Sequence, residues 1–247
     1  MPRAHRHFQP HLVWHLTHRC HQREFLLKFA RDRTRYLRWL FEARQRYALC
    51  VLDYMITSNH VHLLVKDAGR GEIAQSMQLV AARTAQQYNR RKQRSGAFWQ
   101  DRYHATAIEQ QAHLHRCLVY IDLNMVRAGV VEHPEQWAHS GYREIQDPPR
   151  RYRVIDLAAL SALCGFHTLH DLQEAHRDWI AQALCGERHD RDPSWSESLA
   201  VGDECFVQRV KAGLGERARY RATVCSGQRW LLREVVLPYS PSFPGQK

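Results

Sequence analysis

The sequence predicts an α+β protein: a ferredoxin-like antiparallel sheet with packed helices, followed by a mainly helical C-terminal extension. The chain has 247 residues, of which 44% are hydrophobic, and this is enough to build a folded core. Strand and helix patterns follow the order β-α-β-β-α-β-α, which is typical of a split βαβ fold. The proline-containing segment Asp147–Arg150 then indicates a linker. We therefore expect a catalytic domain in residues 1–147 and an extension of unknown role in residues 151–247.

The first elements are a strand, a helix and a hairpin. Residues 8–18 carry alternating apolar side chains, which predicts a strand. Residues 30–47 place apolar side chains at helical spacing among arginines, which predicts an amphipathic helix with a basic face. Residues 48–56 and 60–66 are rich in strand-forming residues, and the turn-forming segment 57–59 joins them. These two segments predict a β-hairpin.

The later elements are mostly helical. Residues 72–92 and 111–128 have helical spacing, and residues 105–109 between them form a short strand pattern. Beyond the linker, residues 155–184 predict two helices separated by Cys164-Gly165-Phe166. They form either a helix-turn-helix or a plain helical hairpin, and we expect the hairpin.

The distribution of charge limits the class of partner. Residues 1–150 hold 23 of the 36 Lys and Arg residues but only 13 of the 25 Asp and Glu residues, so nearly all of the net charge of +11 lies there. Such a basic region favours a polyanion such as nucleic acid, although a basic surface also serves solubility alone. No apolar run approaches about 18 residues, so we expect no membrane partner. Seven cysteines without a Cys-x-x-Cys spacing favour a reducing cytoplasm.

Two histidines of the hairpin are candidate metal ligands. Residues i and i+2 of a strand point to the same side, so His60 and His62 present two imidazoles together. The chain has 17 histidines and two further His-x-His patterns, one within residues 5–7 and one within residues 113–115. The last lies in a predicted helix, where i and i+2 are about 200° apart. A hydrogen-bonded structural pair is the alternative for His60 and His62.

The helix predicted over residues 111–128 sets a tyrosine among polar side chains. At about 100° per residue, Tyr120 shares one stripe with His113, Arg116, Asn124 and Arg127. Asn124, one turn beyond Tyr120, can supply an oxygen ligand to a metal. A tyrosine hydroxyl has a pKa of about 10, so nearby arginines and a metal-bound phosphate favour the phenolate that attacks phosphorus. The alternative is an ordinary amphipathic helix whose tyrosine packs on the core.

Four segments resemble motifs of bacterial tyrosine HUH transposases, and the chain is most similar to the longer branch of the REP-associated tyrosine transposases. The resemblance covers about residues 8–145, and it departs from the family at Met125, where a proline is usual. The segments are Ser58–Leu64, which resembles "NHVHLL"; Arg94–Tyr103, which resembles "RxGxLWxxRF"; Tyr120–Gly129, which resembles "YIxLNPVRAG"; and Trp137–Tyr142, which resembles "WxxSSY".

The resemblance implies a catalytic centre and a substrate. It implies that His60, His62 and Asn124 bind Mg²⁺ or Mn²⁺, and that Tyr120 forms a covalent 5′-phosphotyrosine intermediate. Because imidazole is an unusual ligand for Mg²⁺, Mn²⁺ is expected to serve at least as well. The implied substrate is single-stranded DNA, often folded as a hairpin. The implied setting is the bacterial cytoplasm, in association with the nucleoid, as a monomer or homodimer.

Basic and aromatic side chains around these motifs are candidate DNA contacts. Phe98, Trp99 and Tyr103 either stack on bases or belong to the core, and we expect Trp99 in the core. The basic candidates are Arg90, Arg91, Lys92, Arg102, Arg116 and Arg127.

Two other functions are compatible with the same residues. One is a DNA-binding protein or regulator with little or no cleavage activity, which the basic region alone would serve. The other is a metal hydrolase that acts through water and leaves Tyr120 dispensable.

Overall fold

The fold is built on a seven-stranded mixed sheet, as described by a computed structural model that covers residues 9–110, 112–186 and 191–234. The strands are β1 Val13–Arg19, β2 Cys50–Ile56, β3 His60–Lys66, β4 His104–Ile108, β5 Ala200–Gly202, β6 Arg221–Ser226 and β7 Arg229–Glu234. The helices of the same ranges are α1 Ala30–Tyr47, α2 Glu72–Lys92, α3 Ala112–Asp122, α4 Asn124–Arg127, α5 Gly141–Gln146, α6 Leu157–Cys164, α7 Leu169–Leu184, α8 Ser194–Glu197 and α9 Glu204–Leu214.

The first four strands have the ferredoxin-like order β2-β3-β1-β4, and every neighbouring pair among them is antiparallel. The α+β fold class predicted from the sequence is therefore confirmed. The strand β1 lies in the middle, with β3 on one side and β4 on the other. Its last residues pair with the first residues of β3, so that Thr17 lies opposite His62 and Arg19 lies opposite His60. This register brings the end of β1 to the histidine pair.

Helices α1 and α2 pack against each other beside the sheet. The apolar stripe of α1 includes Tyr36, Leu40 and Ala43, whose spacing of four and three residues puts them on one face, and all three are fully buried. Trp99 lies between this helix and its neighbour: its ring contacts Tyr36, and its Nε1–H donates to the carbonyl of Ala81 in α2. The amphipathic pattern of the sequence thus decides which face of α1 is buried.

The third helix is interrupted where the sequence predicts continuity over residues 111–128. The helix α3 ends at Asp122 and the short α4 begins at Asn124, because Leu123 adopts a φ of −78° and a ψ of 6°. The break is local, since backbone hydrogen bonds continue from Leu123 to Val119 at 3.0 Å. The prediction of one uninterrupted helix is wrong at this residue.

The extension continues the sheet. Its strand β5 pairs with β4 in parallel, through Ala107 opposite Ala200, and β7 and β6 follow in antiparallel order. The sheet is therefore mixed, and the extension holds three strands besides its four helices in the described residues. The strand β5 has only three residues, and β6 and β7 lack the clear alternation that predicts a strand from sequence.

Helices α6 and α7 lie on either side of Gly165, in the segment where the sequence predicts two helices. Gly165 ends α6 with a φ of 82°, the left-handed conformation that favours glycine after a helix. The helix α7 packs on α3. Among the described residues, no helix has the length and apolarity needed to cross a membrane. All seven cysteines lie in the described ranges and are free thiols.

A buried hydrogen bond between two side chains joins the extension to the helix that carries Tyr120. His176 of α7 lies 2.8 Å from the carboxylate of Asp122 at the end of α3, and neither side chain is exposed. Replacing His176 with Ala leaves the carboxylate buried without this partner, so we expect the free energy of unfolding to fall by about 3 kcal/mol. Urea denaturation measures this change.

The matched control is Glu174→Ala, which removes the exposed pair of Glu174 with His170 on the same helix. Exposed pairs contribute little, so this variant should unfold at the wild-type urea concentration. Equal midpoints for His176→Ala and Glu174→Ala would show that the buried pair does not anchor the extension.

Candidate active site

A cleft of about 580 Å³ opens beside the ends of β1 and β3 and the helices α3 and α4. His60, His62, Tyr120 and Asn124, the four residues that the sequence predicts for catalysis and metal binding, all line it. The structure therefore brings together side chains that are up to 64 positions apart in the sequence.

His60 is oriented by its own turn. Its Nδ1 lies 2.7 Å from Oδ1 of Asn59 and 3.0 Å from Oγ1 of Thr57. An amide oxygen only accepts, so Nδ1 of His60 carries the proton and donates it. Nε2 is then unprotonated and points towards Asn124. Burial lowers the pKa of His60 to about 3, which keeps the ring neutral.

His62 is also oriented through its Nδ1, by a side chain of the neighbouring strand β1. Its Nδ1 lies 2.8 Å from Nε2 of His15 in β1, and the two rings are stacked at 5.0 Å between centroids. Burial, reinforced by the positive charge of neighbouring groups such as Arg127, lowers the pKa of His62 well below its usual value. The pKa of His15 is lowered to about 4, again chiefly by burial. Both candidate ligands are thus neutral imidazoles, the form that binds metals.

The donor set fits a divalent cation. The side-chain amide of Asn124 lies 3.1 Å from Nε2 of His62 and 3.5 Å from Nε2 of His60. Turning the amide over exchanges its nitrogen for its oxygen, and this gives two nitrogen donors and one oxygen donor around one point. The described part of the chain contains no cluster of three or more His, Cys, Asp or Glu residues suited to a metal. A cation at this point would therefore be held by two histidines and one amide oxygen.

Tyr120 is enclosed by aromatic and cationic groups. It is 8% exposed, and its ring centroid lies 6.0 Å from that of His62 and 6.1 Å from that of Trp195. The guanidinium carbon of Arg127 lies over the Tyr120 ring at 4.1 Å. Burial raises the pKa of Tyr120, although Arg127 and Arg191 act in the opposite direction. The sequence predicts that arginines favour the phenolate, and Arg127 and Arg191 do act in that direction. In the free protein, however, burial has the larger effect on the pKa of Tyr120.

The cleft is basic. Five arginines line it, together with the two carboxylates of Asp101 and Glu197. Arg191 pairs with Glu197 at 2.8 Å. Such a surface attracts a polyanion. The arginines are Arg19, Arg23, Arg102, Arg127 and Arg191.

The other basic residues that the sequence predicts as DNA contacts lie elsewhere. Arg116 is exposed on α3 and does not line the cleft. Arg90 and Arg91 line a second groove between α1 and α2. Arg91 forms an ion pair with the buried Asp32. Lys92 is exposed at the end of α2, with its ammonium 5.4 Å from an aromatic ring of the loop before α1.

The aromatic residues of the loop before β4 belong to the core. Phe98 is 2% exposed and Tyr103 is 9% exposed. Trp99 stacks on His18 at 3.9 Å and hydrogen-bonds into α2. The structure therefore gives these rings a packing role, as expected from the sequence for Trp99.

Sequence reasoning missed several residues of the site. Arg19 and His15 share a face of β1 with Thr17, and the split βαβ order would have placed that face beside the histidine pair. Trp195 and Arg191 come from the extension, and no pattern in the sequence links that polar segment to the catalytic motifs. The His-x-His pattern of residues 5–7 lies outside the described ranges. The pattern of residues 113–115 does not form a comparable pair, because His113 contacts Glu109 whereas His115 stacks on Trp179.

Comparison with known proteins finds a matching family model and several similar solved structures. Residues 8–124 match the sequence model of the family described as "Transposase IS200 like". No curated protein matches the chain. The "Structure of the REP associates tyrosine transposase bound to a REP hairpin" is similar at 17% identity, covering 62% of this chain and 90% of that one, with a TM-score of 0.49. A protein from Deinococcus radiodurans R1 described as a transposase is similar at 14% identity, covering 47% of this chain and 92% of that one, with a TM-score of 0.35.

The low pKa of His60 has a consequence for the metal-free protein. In the unfolded chain His60 takes up a proton near pH 6.5, whereas in the folded chain it does so only near pH 3. As the pH falls between these values, the unfolded state is favoured, by about 1.4 kcal/mol for each pH unit. We expect the stability difference between wild type and His60→Gln to shift against the wild type by about 2 kcal/mol from pH 7.5 to pH 5.

Urea denaturation at both pH values measures this difference in chelator-treated protein. Carboxyls with a raised pKa, such as Asp32, contribute with the opposite sign but are common to both proteins and cancel in the comparison. Parallel stability curves for the two proteins would show that His60 titrates as an exposed histidine.

Proposed function

Residues 8–124 belong to the IS200-like transposase family, and from this premise we propose that the protein is a metal-dependent endonuclease and strand transferase for single-stranded or hairpin-forming DNA. Transposases as a class cut and join DNA. The observation that carries the finer proposal is the convergence of His60, His62, Asn124 and Tyr120 on one basic cleft. A nucleophile, a candidate cation site and phosphate-binding side chains within one cleft are what cleavage of a phosphodiester requires.

The cation is Mg²⁺ or Mn²⁺ in this proposal, held by Nε2 of His60, Nε2 of His62 and Oδ1 of Asn124. When bound, it withdraws charge from the scissile phosphate and stabilises the leaving 3′ oxygen. The two imidazoles are neutral and Nε2 of His60 is unprotonated, which supports this assignment. Because nitrogen ligands are unusual for Mg²⁺, Mn²⁺ fits the donor set better.

Tyr120 is the nucleophile in this proposal. Its Oη loses a proton and forms a bond to the scissile phosphorus, while the bond from phosphorus to the 3′ oxygen breaks and that oxygen takes up a proton. The product is a 5′-phosphotyrosine and a free 3′-hydroxyl. In the joining step a 3′-hydroxyl attacks the phosphotyrosine and Tyr120 leaves, so the bond energy is conserved.

The arginines of the cleft assist the nucleophile and hold the DNA. Arg127 lies over the Tyr120 ring, and both Arg127 and Arg191 favour the phenolate. Arg102 lines the same cleft and binds a phosphate of the strand being cut. Outside the cleft, basic side chains that are exposed, or partly exposed in the case of Arg91, bind further phosphates of the same DNA. We assign this role to Arg90, Arg91, Lys92 and Arg116.

A covalent adduct tests the assignment of Tyr120. We expect wild-type protein incubated with labelled single-stranded hairpin DNA and Mn²⁺ to form an adduct that survives denaturing electrophoresis. Tyr120→Phe should form none, because it lacks the attacking oxygen, and His60→Ala should lose at least about 10² in rate with the metal site. The matched control is Tyr88→Phe, which removes a hydroxyl from α2 outside the cleft.

The outcomes separate the alternatives. Cleavage that persists in Tyr120→Phe without an adduct indicates a metal hydrolase that acts through water. Salt-dependent DNA binding that chelator leaves unchanged, with no cleavage by the wild type, indicates a DNA-binding regulator. Either result rejects the proposed mechanism.

Two arginines near Tyr120 form a matched pair for the role of charge in the cleft. We expect Arg127→Ala to slow adduct formation by about 10²-fold, because the cation over the tyrosine ring is lost beside the reacting phosphate. Arg116→Ala, one turn before Tyr120 but outside the cleft, should weaken DNA binding but change the rate at saturating DNA less than about threefold. Single-turnover rates measure both, and equal losses would place the important charge on the helix surface instead.

A further inference from the structure

A chain of hydrogen bonds runs from the candidate metal site into the C-terminal extension. Nδ1 of His62 lies 2.8 Å from Nε2 of His15, and Nδ1 of His15 lies 2.7 Å from the backbone carbonyl of Trp195. His15 has no exposed surface, and the other two residues are at most 4% exposed. Water therefore does not compete for these bonds.

The chemistry of the partners fixes the direction of each bond. A carbonyl oxygen only accepts, so Nδ1 of His15 carries a proton and donates it to Trp195. A second proton on Nε2 would make His15 a buried cation, and the two groups that occupy its ring nitrogens are a carbonyl and an imidazole, neither of them an anion. His15 Nε2 therefore accepts, and Nδ1 of His62 donates. This leaves the lone pair of His62 on Nε2, on the side of Asn124.

We propose that His15 is a positioning residue, which the carbonyl of Trp195 fixes in one tautomer and which in turn fixes His62 in the tautomer that offers Nε2 to the metal. The inference rests on the proposed function, because it concerns the metal site of that reaction. Partners of this kind orient a ligand and raise its basicity. His15 does not line the cleft, and it reaches the candidate metal site through His62. Its ring also packs edge-on against Tyr120, with 6.2 Å between the centroids, so a measurement of metal binding separates its effect on His62 from any effect on the tyrosine.

The carbonyl of Trp195 is itself held in place by the sheet. Thr106 of β4, which pairs with His15 in β1, lies 3.2 Å from this carbonyl and 2.7 Å from the carbonyl of Ser198. His104 binds the carbonyl of Ser198 from the same strand at 2.8 Å. The segment 195–198 is thus seated across β1 and β4 by three side chains.

The fixed segment gives the extension a role in the proposed reaction. Without the carbonyl of Trp195, Nδ1 of His15 has no acceptor, and either ring nitrogen of His15 can carry the proton. His62 is then free to take the opposite tautomer, in which Nε2 is protonated and cannot bind a cation. The extension therefore selects the tautomer of His62, a candidate metal ligand that belongs to residues 8–124, the part matched by the family model (the family domain).

Titration of the DNA-free protein with Mn²⁺, followed by electron paramagnetic resonance, tests the proposal without measuring activity. His15→Phe keeps the ring but lacks the nitrogens, and we expect it to weaken Mn²⁺ binding by about 10- to 100-fold. His15→Gln can accept from His62 and donate to Trp195, so it should stay within about threefold of the wild type. The control His139→Phe removes another buried histidine outside the cleft and should bind Mn²⁺ as the wild type does.

Nitrogen NMR of the wild-type protein provides a second measurement that needs no variant. We expect the metal-free protein to show His62 protonated at Nδ1 alone and His15 protonated at Nδ1 alone. A proton on Nε2 of His62 would overturn the proposal, as would unchanged Mn²⁺ affinity in His15→Phe. If the wild type binds no Mn²⁺ at all, both the metal-dependent function and this inference are rejected. Wild-type binding that His15→Phe retains rejects the inference alone.

Discussion

The antiparallel pairing of β1 with β3 is the contact on which the candidate active site depends. It places Thr17 opposite His62 and Arg19 opposite His60, and His15 lies on the same face one step further along the strand. A shift of one residue in this register would turn the histidines to the other side of the sheet, where α1 and α2 pack. The register therefore determines that two imidazoles, an arginine and the supporting His15 share one surface, which α3 and α4 then complete with Tyr120 and Asn124.

Burial has opposite effects on the two roles proposed for this surface, metal binding and nucleophilic attack. It keeps His60 and His62 neutral, which favours metal binding, and it raises the pKa of Tyr120, which disfavours the phenolate. The guanidinium of Arg127 stands over the tyrosine ring and partly offsets the second effect. The free protein thus holds a protonated tyrosine beside an available cation site. In the proposed reaction a bound phosphate and cation would offset this effect of burial, and the tyrosine would attack few unintended substrates.

Local patterns in the sequence predicted most of the family domain. The stripe of Tyr36, Leu40 and Ala43 determines the buried face of α1, and the alternation around His60 determines the strand on which the histidines lie. The break at Leu123 was not predictable, because helical spacing continues through it and tertiary packing decides the local backbone. The contribution of the extension was not predictable either. In the role proposed for Trp195 its backbone carbonyl is the active group, and a backbone group leaves no residue type to recognise in a sequence.

The parallel pairing of β5 with β4 also bears on the solubility of the family domain. In a sheet of four strands β4 would be an edge, and the backbone groups that now bond to Leu199 and Val201 from Ala107 and Glu109 would have no partner. An open edge of this kind accepts a strand from a second molecule and is a common start of aggregation. The extension covers this edge with a strand of the same chain. A polypeptide shortened after the family domain would thus present an unpaired edge strand to other molecules. The extension protects the sheet from aggregation at this edge.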